Sequence, residues 1–287
     1  MFATMLFPVE ISGVTERMFC AVSDLVRAGI REVTLLHVVL KREAEADPGA
    51  VEYSRKVLRE WKRRLEAAGT PSVRYDVAVG IPWVEIIERA AQDQSSVILM
   101  GSHPAGILRE TFLGNETENV LHHADRPVLI LKLRLIEPVG EAACTLAKDR
   151  LLQRVLFATD FSPDAEKCIP FVEQTVHAGP EEVMVVHIQD LRTLAYATAT
   201  QIEEFNRRDA RRLSDLKQRF ASLGFAKVTT VLRTGNAIAE LLAIIASAEP
   251  TLVVIGAKGR SNLAPMMLGG VSETVAHAAS SHVLVVR

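Results

Sequence analysis

The feature that most constrains this chain of 287 residues is an internal repeat. Two early segments recur 150 residues later, and six single positions recur 155 residues later, so one indel of five residues separates the two registers. The early pairs are 5–12 with 155–162 and 28–39 with 178–189; the later pairs are Gly69 with Gly224, Gly80 with Gly235, Gly101 with Gly256, Gly114 with Gly269, His122 with His277 and Val128 with Val283. A register kept over this length indicates two copies of one domain. We place the domains at 1–137 and 150–287.

Each copy alternates short apolar runs with segments of helical period. The runs fall at 4–9, 32–39, 72–79, 96–101 and 127–133, and again at 154–159, 182–188, 227–233, 251–256 and 282–286. Continuous apolar character predicts strands buried on both faces, and helices between them require crossover connections. Long helices are predicted at 50–68 and 201–223, with Gly69 and Gly224 as their C-terminal caps. The fold class is therefore α/β, with two tandem doubly wound five-stranded parallel-sheet domains. Residues 135–150, which contain Pro138 and Gly140, are predicted to be the linker.

Composition excludes several classes of function. Lys and Arg total 33 and Asp and Glu total 35, a net charge of −2, so no nucleic-acid partner is expected. The most apolar stretch, 128–136, contains Lys132 and Arg134, and no membrane span is predicted. The chain has 3 cysteines without paired spacing, and its start lacks the pattern of a secretory signal. We therefore expect a cytoplasmic protein without a metal site.

A glycine-rich loop follows the fourth strand of the second copy. Gly256, Lys258, Gly259 and Arg260 come directly after the strand, and the run Gly269, Gly270, Val271 and Ser272 opens the last helix. Glycines let a backbone approach a ligand closely, and exposed amide N–H groups at a helix N-terminus favour phosphate. Neither the P-loop pattern nor the dinucleotide fingerprint occurs in the chain. A different type of phosphate site is therefore predicted here.

The spacing of Gly256, Gly259 and Gly269 resembles the G-x2-G-x9-G-[S/T] signature of the universal stress protein family. The resemblance covers nearly the whole chain as a tandem pair and implies a Rossmann-like fold of the adenine nucleotide alpha hydrolase type. It also implies that Asp160, preceded by Thr159, meets the ribose or adenine, and that the backbone at Ile188 touches the adenine. The implied ligand is ATP or AMP, with or without Mg²⁺.

Both copies depart from the family pattern. Gly270 stands where the family has Ser or Thr, so one hydroxyl is missing from the second site. In the first copy Glu10 replaces the Asp, Pro104 replaces the second glycine, and Asn115 replaces the Ser or Thr. Proline has no N–H and a fixed φ, so it cannot take the place of a flexible glycine against a phosphate. We expect the first site to be degenerate.

Several residues also have purely structural interpretations. Asp160 could cap the helix that begins near Ser162 and Pro163. His37 and His187, at strand ends, are interpreted as hydrogen-bonded structural residues. Lys258 and Arg260 could belong to a solvated loop. The arginines at 207, 208, 211 and 212 alternate with acidic residues, which is typical of an exposed, ion-paired helix face.

Two functions remain open at this stage. One is a regulatory or stress-response protein whose second domain binds ATP or AMP, with at most slow hydrolysis because no catalytic constellation accompanies the loop. The other is a nucleotide-free interaction or scaffold protein in which both loops are relics. The resemblance further implies antiparallel pairing of the last strands as a pseudo-dimer within one chain, and a homodimer is the further possibility.

Overall fold

The computed structural model describes residues 3–102, 113–139, 143–146, 150–195, 197–259 and 267–287. The chain divides into two compact units, Met1–Arg150 and Leu151–Arg287. No helix among the described residues has both the length and the apolar character needed to cross a membrane.

The first unit contains a parallel sheet of five strands in the order β3-β2-β1-β4-β5. Its elements are β1 (Thr4–Pro8), α1 (Gly13–Arg17), α2 (Phe19–Arg27), β2 (Glu32–Val39), α3 (Lys41–Ala46), α4 (Ala50–Ala67), β3 (Ser72–Val79), α5 (Pro82–Gln92), β4 (Val97–Gly101), α6 (Asn115–His123), β5 (Val128–Leu131), β6 (Ile136–Val139) and β7 (Ala143–Leu146).

The second unit repeats this order as β10-β9-β8-β11-β12, again with all strands parallel. Its elements are β8 (Arg154–Ala158), α7 (Pro163–Gln174), β9 (Glu182–Asp190), α8 (Leu191–Leu194), α9 (Ala199–Ser222), β10 (Val228–Gly235), α10 (Ala237–Ala248), β11 (Leu252–Gly256), α11 (Gly270–Ala278) and β12 (His282–Val286). The predicted α/β class with two tandem five-stranded sheets is confirmed.

The predicted hydrophobic pattern matches the observed core. Every residue of β11 and β12 is buried, as expected for strands covered on both faces. The long helices α4 and α9 bury aligned positions, with Leu58 matching Leu213 and Leu65 matching Phe220. Gly69 and Gly224 end these helices with φ of +100° and +95°, the left-handed conformation that favours glycine at this position.

The predicted linker at 135–150 is wrong in part. Residues 136–139 and 143–146 form an antiparallel pair, β6 with β7, in which Ile136 lies opposite Leu146. Pro138 and Gly140 favoured a loop in the sequence, but a proline is compatible with a short edge strand, and Pro138 lies in β6 opposite Cys144.

Candidate functional site

The carboxyl ends of β8, β9 and β11 border an open cavity of about 790 Å³ in the second unit. Strand order reverses between β9 and β11, which flank β8, and ligands of open α/β sheets bind at such a point. The cavity lining includes ten of the eleven residues predicted for the site: Thr159, Asp160, Ile188, Gly256, Lys258, Gly259, Gly269, Gly270, Val271 and Ser272. The eleventh, Arg260, lies outside the described residues.

The loop after β8 is held by its own side chains. Phe161, with φ of +58°, donates its N–H to Thr159 Oγ1 at 3.0 Å. The N–H of Ser162 donates to Asp160 Oδ1 at 3.0 Å, and Ser162 Oγ accepts the N–H of Ala165 at 3.3 Å as the N-cap of α7. The N-cap is therefore Ser162, with Pro163 in the first turn, and not Asp160, which accepts the N–H of the cap residue instead. Asp160 orders the loop and also lines the cavity.

Two glycines of the loop after β11 have distinct steric roles. A Cβ atom on Gly256 would lie 2.9 Å from the carbonyl carbon of Asp164 and 3.0 Å from the nitrogen of Ala165, both backbone atoms at the start of α7. A Cβ atom on Gly259 would lie 2.7 Å from Asp160 Oδ2. Gly256 therefore allows close packing of β11 against α7, whereas Gly259 leaves room for the Asp160 carboxylate.

The start of α11 differs in one respect from the sequence interpretation. The N–H of Gly269 was expected to be exposed, but it donates to the carbonyl of Ala257 at 2.8 Å. The Ser272 hydroxyl donates to the carbonyl of Gly256 at 2.6 Å. Among the described residues, no acceptor faces the N–H groups of Gly270, Val271 and Ser272. These three first-turn amides are the donors that the helix offers to the cavity.

The first unit makes two hydrogen bonds that correspond to those of Gly269 and Ser272. Gly114 N–H donates to the carbonyl of Ser102 at 2.8 Å, and Thr117 Oγ1 donates to the carbonyl of Gly101 at 2.7 Å. At the position that matches Val271, however, the first unit has Glu116, whose carboxylate accepts the N–H of Trp83 at 2.9 Å. A carboxylate here would repel a phosphate. Glu10 and Asn115 are exposed, and Pro104 lies outside the described residues.

A buried polar cluster, not predicted from the sequence, forms part of the cavity lining. Its centre is Asp209 of α9, which is 2% exposed. Asp209 Oδ2 accepts Gln189 Nε2 at 3.0 Å and lies 3.4 Å from His187 Nε2, while Oδ1 accepts Arg208 Nε at 3.2 Å. The hydroxyl of Thr234 lies 3.1 Å from Gln189 Oε1. We call Asp209, His187, Gln189 and Arg208 the α9 cluster.

The sequence contained a pattern that could have revealed this cluster. The arginines at 207, 208, 211 and 212 are exposed, as predicted, whereas Asp209, which that interpretation did not include, is buried. Asp209 precedes the buried Leu213 by one helical step of four residues, and it aligns with the buried Ser54 of the first unit.

The interpretation of the two histidines is confirmed, since Nδ1 of His37 and of His187 each lies 2.8 Å from a strand-end carbonyl, Val9 and Thr159 respectively.

Electrostatics distinguish the carboxylate of the cluster from the nearby thiol. Burial alone would raise the pKa of Asp209, but the hydrogen bond from Gln189 and the charges of His187 and Arg208 outweigh it, so the pKa is lowered. Asp209 is therefore ionised near neutral pH. Burial, followed by the charges of Asp164 and Asp160, raises the pKa of the Cys168 thiol, which is not a nucleophile in this state.

In the part of the chain that the structure describes, no three metal-ligating side chains are grouped.

Known proteins resemble this chain in sequence and in fold. The model of the universal stress protein family matches residues 1–132 and 152–287. A universal stress protein of Methanocaldococcus jannaschii is 29% identical over 156 residues, which cover 46% of this chain and 96% of that protein. One from Mycobacterium tuberculosis is 25% identical over 235 residues, 79% of this chain and 74% of that protein. The crystal structure of a universal stress protein from Archaeoglobus fulgidus has a TM-score of 0.74 at 24% identity and covers 99% of this chain and 98% of its own.

Proposed function

The chain belongs to the universal stress protein family, and on that premise we propose that its second domain binds one ATP or AMP as a regulatory ligand. The first domain, in this proposal, does not bind a nucleotide. The domain bounds 1–137 and 150–287 and the cytoplasmic localisation stay predictions.

One observation supports the proposal: Gly270, Val271 and Ser272, whose N–H groups have no hydrogen-bond acceptor among the described residues, line the same cavity as Asp160 and Lys258. Partial positive charge at a helix N-terminus favours a phosphate, and the ammonium group of Lys258 adds a full charge. Asp160, at the end of β8, supplies an acceptor for ribose hydroxyls or an exocyclic amine. Donors for the anionic end of a nucleotide and an acceptor for its other end thus share one cavity.

The proposed role is regulatory, with at most slow hydrolysis. Phosphoryl transfer needs a residue that positions the attacking group and carboxylates that hold Mg²⁺. In its first turn α11 carries one acidic residue, Glu273, which is not among the residues that line the cavity. An acidic residue there is explained by the helix dipole alone.

The proposal is tested on the purified full-length chain. Heat release followed by mass spectrometry identifies a co-purified nucleotide, and calorimetry with AMP and with ATP, each with and without Mg²⁺, measures binding. We expect one site per chain and a dissociation constant in the micromolar range, roughly −8 kcal/mol. Absence of a released adenine nucleotide together with no heat for either ligand would contradict the proposal.

The nucleotide-free interaction protein is the second candidate, and a specific observation favours it. The family hydroxyl is missing at Gly270, and the neighbouring hydroxyl of Ser272 is bound to Gly256, so no side-chain hydroxyl of these two residues serves the cavity. This candidate predicts that Asp160→Ala and Gly259→Pro leave the cellular phenotype of the protein unchanged. Complementation of a deletion strain with each variant distinguishes the two functions.

Restoring the hydroxyl should strengthen binding. Apart from its chain neighbours, no heavy atom of the described residues lies within 4 Å of a Cβ placed on Gly270, so Gly270→Ser adds a donor without a clash with them. We expect ATP affinity to rise about two- to tenfold, the effect of one added hydrogen bond. Gly270→Ala is the matched control, since it adds the same carbon without the hydroxyl. Equal affinities for the Ser and Ala variants, measured by calorimetry, would show that no phosphate oxygen reaches this position.

A further inference from the structure

The α9 cluster connects a distant helix to the loop that presents Asp160. His187 Nδ1 lies 2.8 Å from the carbonyl of Thr159, the residue before Asp160, and the opposite ring nitrogen lies 3.4 Å from Asp209 Oδ2. The ring of Phe161, in the same loop, lies 4.7 Å from the His187 ring between centroids. His187 is 2% exposed. Asp209, through His187, therefore contacts the loop from inside the domain.

The partners of His187 determine its protonation. A carbonyl oxygen is only an acceptor, so Nδ1 carries a proton and donates it to Thr159. Nε2 lies 3.4 Å from Asp209 Oδ2, and a proton on Nε2 would replace the repulsion between its lone pair and the carboxylate by an attraction. The ionised Asp209 therefore favours the imidazolium form of His187. The charged groups around it are Asp209 and Arg208 of α9, Arg212 beyond the ring of Phe161, and Asp160 in the loop.

The first unit provides an internal comparison. His37 makes the same bond to the carbonyl of Val9, also at 2.8 Å, so this bond belongs to the fold. At the position of Asp209 the first unit has Ser54, whose hydroxyl donates to Ala50 in its own helix, and Val39 replaces Gln189. The unit that lacks the Asp160 equivalent therefore also lacks the carboxylate behind its histidine. The cluster occurs in the unit whose loop keeps the binding signature.

We propose that Asp209 is a positioning residue for the loop 159–162: it holds a proton on His187 Nε2, the imidazolium donates to the Thr159 carbonyl, and the loop then presents Asp160 to the ligand. The expected effect of Asp209 on ligand affinity rests on the proposed nucleotide function. The expected effect of Asp209 on the order of the loop does not depend on any ligand. The site is thereby sensitive to pH, because loss of the shared proton places the Nε2 lone pair against the Asp209 carboxylate.

The first test measures AMP affinity by calorimetry from about pH 6 to about pH 9, on either side of the ordinary histidine range. The variants are Asp209→Ser, which copies the first unit, and Asp209→Asn, which removes the charge at nearly constant volume. The control is Asp215→Asn, which removes an exposed carboxylate from the same helix. We expect wild-type affinity to fall as pH rises, both Asp209 variants to bind about tenfold more weakly near neutral pH without that dependence, and the control to match wild type.

A second variant removes the titrating ring. In His187→Asn the side-chain amide is a neutral donor toward the Thr159 carbonyl, as the neutral His187 ring is in the Asp209 variants, so we expect affinity within about threefold of the Asp209 variants and no pH dependence. Wild-type behaviour of both Asp209 variants, or an equal loss in the Asp215→Asn control, would overturn the proposal. A His187→Asn variant that keeps the wild-type pH dependence would overturn it as well, since the titrating ring would be gone.

The second test uses the ligand-free protein, so it distinguishes failure of this proposal from failure of the nucleotide function. Hydrogen exchange of the Phe161 and Ser162 amides reports the two bonds that order the loop. We expect both amides to exchange about tenfold faster in Asp209→Ser while amides inside β8 stay unchanged. If wild type binds no AMP but this difference appears, the nucleotide function alone has failed. If exchange is unchanged at both amides, the positioning role of Asp209 is refuted.

Discussion

Replacing Asp160 by alanine is expected to weaken AMP binding at least tenfold. A hydrogen bond to a charged group contributes about 1.5–3 kcal/mol, and this carboxylate lines the cavity while it also accepts the N–H of Ser162. The substitution removes the ligand contact and the local turn together, so its effect should exceed that of Gly270→Ser. Calorimetry at constant pH and salt measures it.

Two further variants show the origin of that loss. Asp160→Asn keeps an oxygen that can accept the Ser162 N–H, so the loop is retained and the change reports the charge alone. Glu10→Ala is the matched control, because Glu10 occupies the aligned position in the first unit and is exposed. Unchanged affinity in Asp160→Ala would exclude contact between the carboxylate and the ligand. A comparable loss in Glu10→Ala would instead place the binding site in the first domain.

Gly256→Ala is expected to destabilise the second domain by about 1–3 kcal/mol, the usual effect of overpacking. The new Cβ would lie 2.9–3.0 Å from backbone atoms of Asp164 and Ala165, which cannot rotate away as a side chain can. The N-terminus of α7 or the end of β11 must therefore shift. Urea denaturation followed by circular dichroism gives the change in the free energy of unfolding.

Two controls keep this prediction specific to the steric contact. At the aligned Gly101 a Cβ would meet side-chain atoms only, Met18 Sδ at 3.3 Å and Leu133 Cδ1 at 3.4 Å, so Gly101→Ala should cost less. The Cβ of Gly270→Ala meets no atom of the described part of the chain within 4 Å, and the variant should change stability by no more than about 0.5 kcal/mol. If all three variants unfold at the same urea concentration, close packing is not the reason for a glycine at 256.

Much of the fold could be predicted because the repeat and the apolar pattern agree. The strands predicted at 32–39, 72–79 and 282–286 have the observed bounds, since each is an apolar or mixed run rich in strand-forming residues. The hairpin β6–β7 was missed because Pro138 and Gly140 are stronger local indicators of a loop than a four-residue strand is of a sheet. Short strands depend on a partner that local sequence does not identify.

The candidate site, like the fold, could be predicted from the sequence only in part. Glycine spacing predicted which segments meet, and ten of the eleven chosen residues lie around one cavity. It could not predict that Gly269 uses its N–H for Ala257, because a backbone bond leaves no trace in residue identity. Asp209 was missed for another reason: its neighbours on α9 are charged, and a buried carboxylate is recognisable only with the residues that compensate it.

The two bonds shared by both units bear on how such proteins are identified. The first unit keeps Gly101 and Gly114 together with these two hydrogen bonds. The second unit has the same two bonds at Gly256 and Gly269. A search pattern built on those glycines scores structural integrity, so it would flag degenerate copies as binders. Genome-wide assignments for duplicated chains of this type would be more selective if they required an Asp at the position of Asp160 and rejected a carboxylate at the position of Glu116.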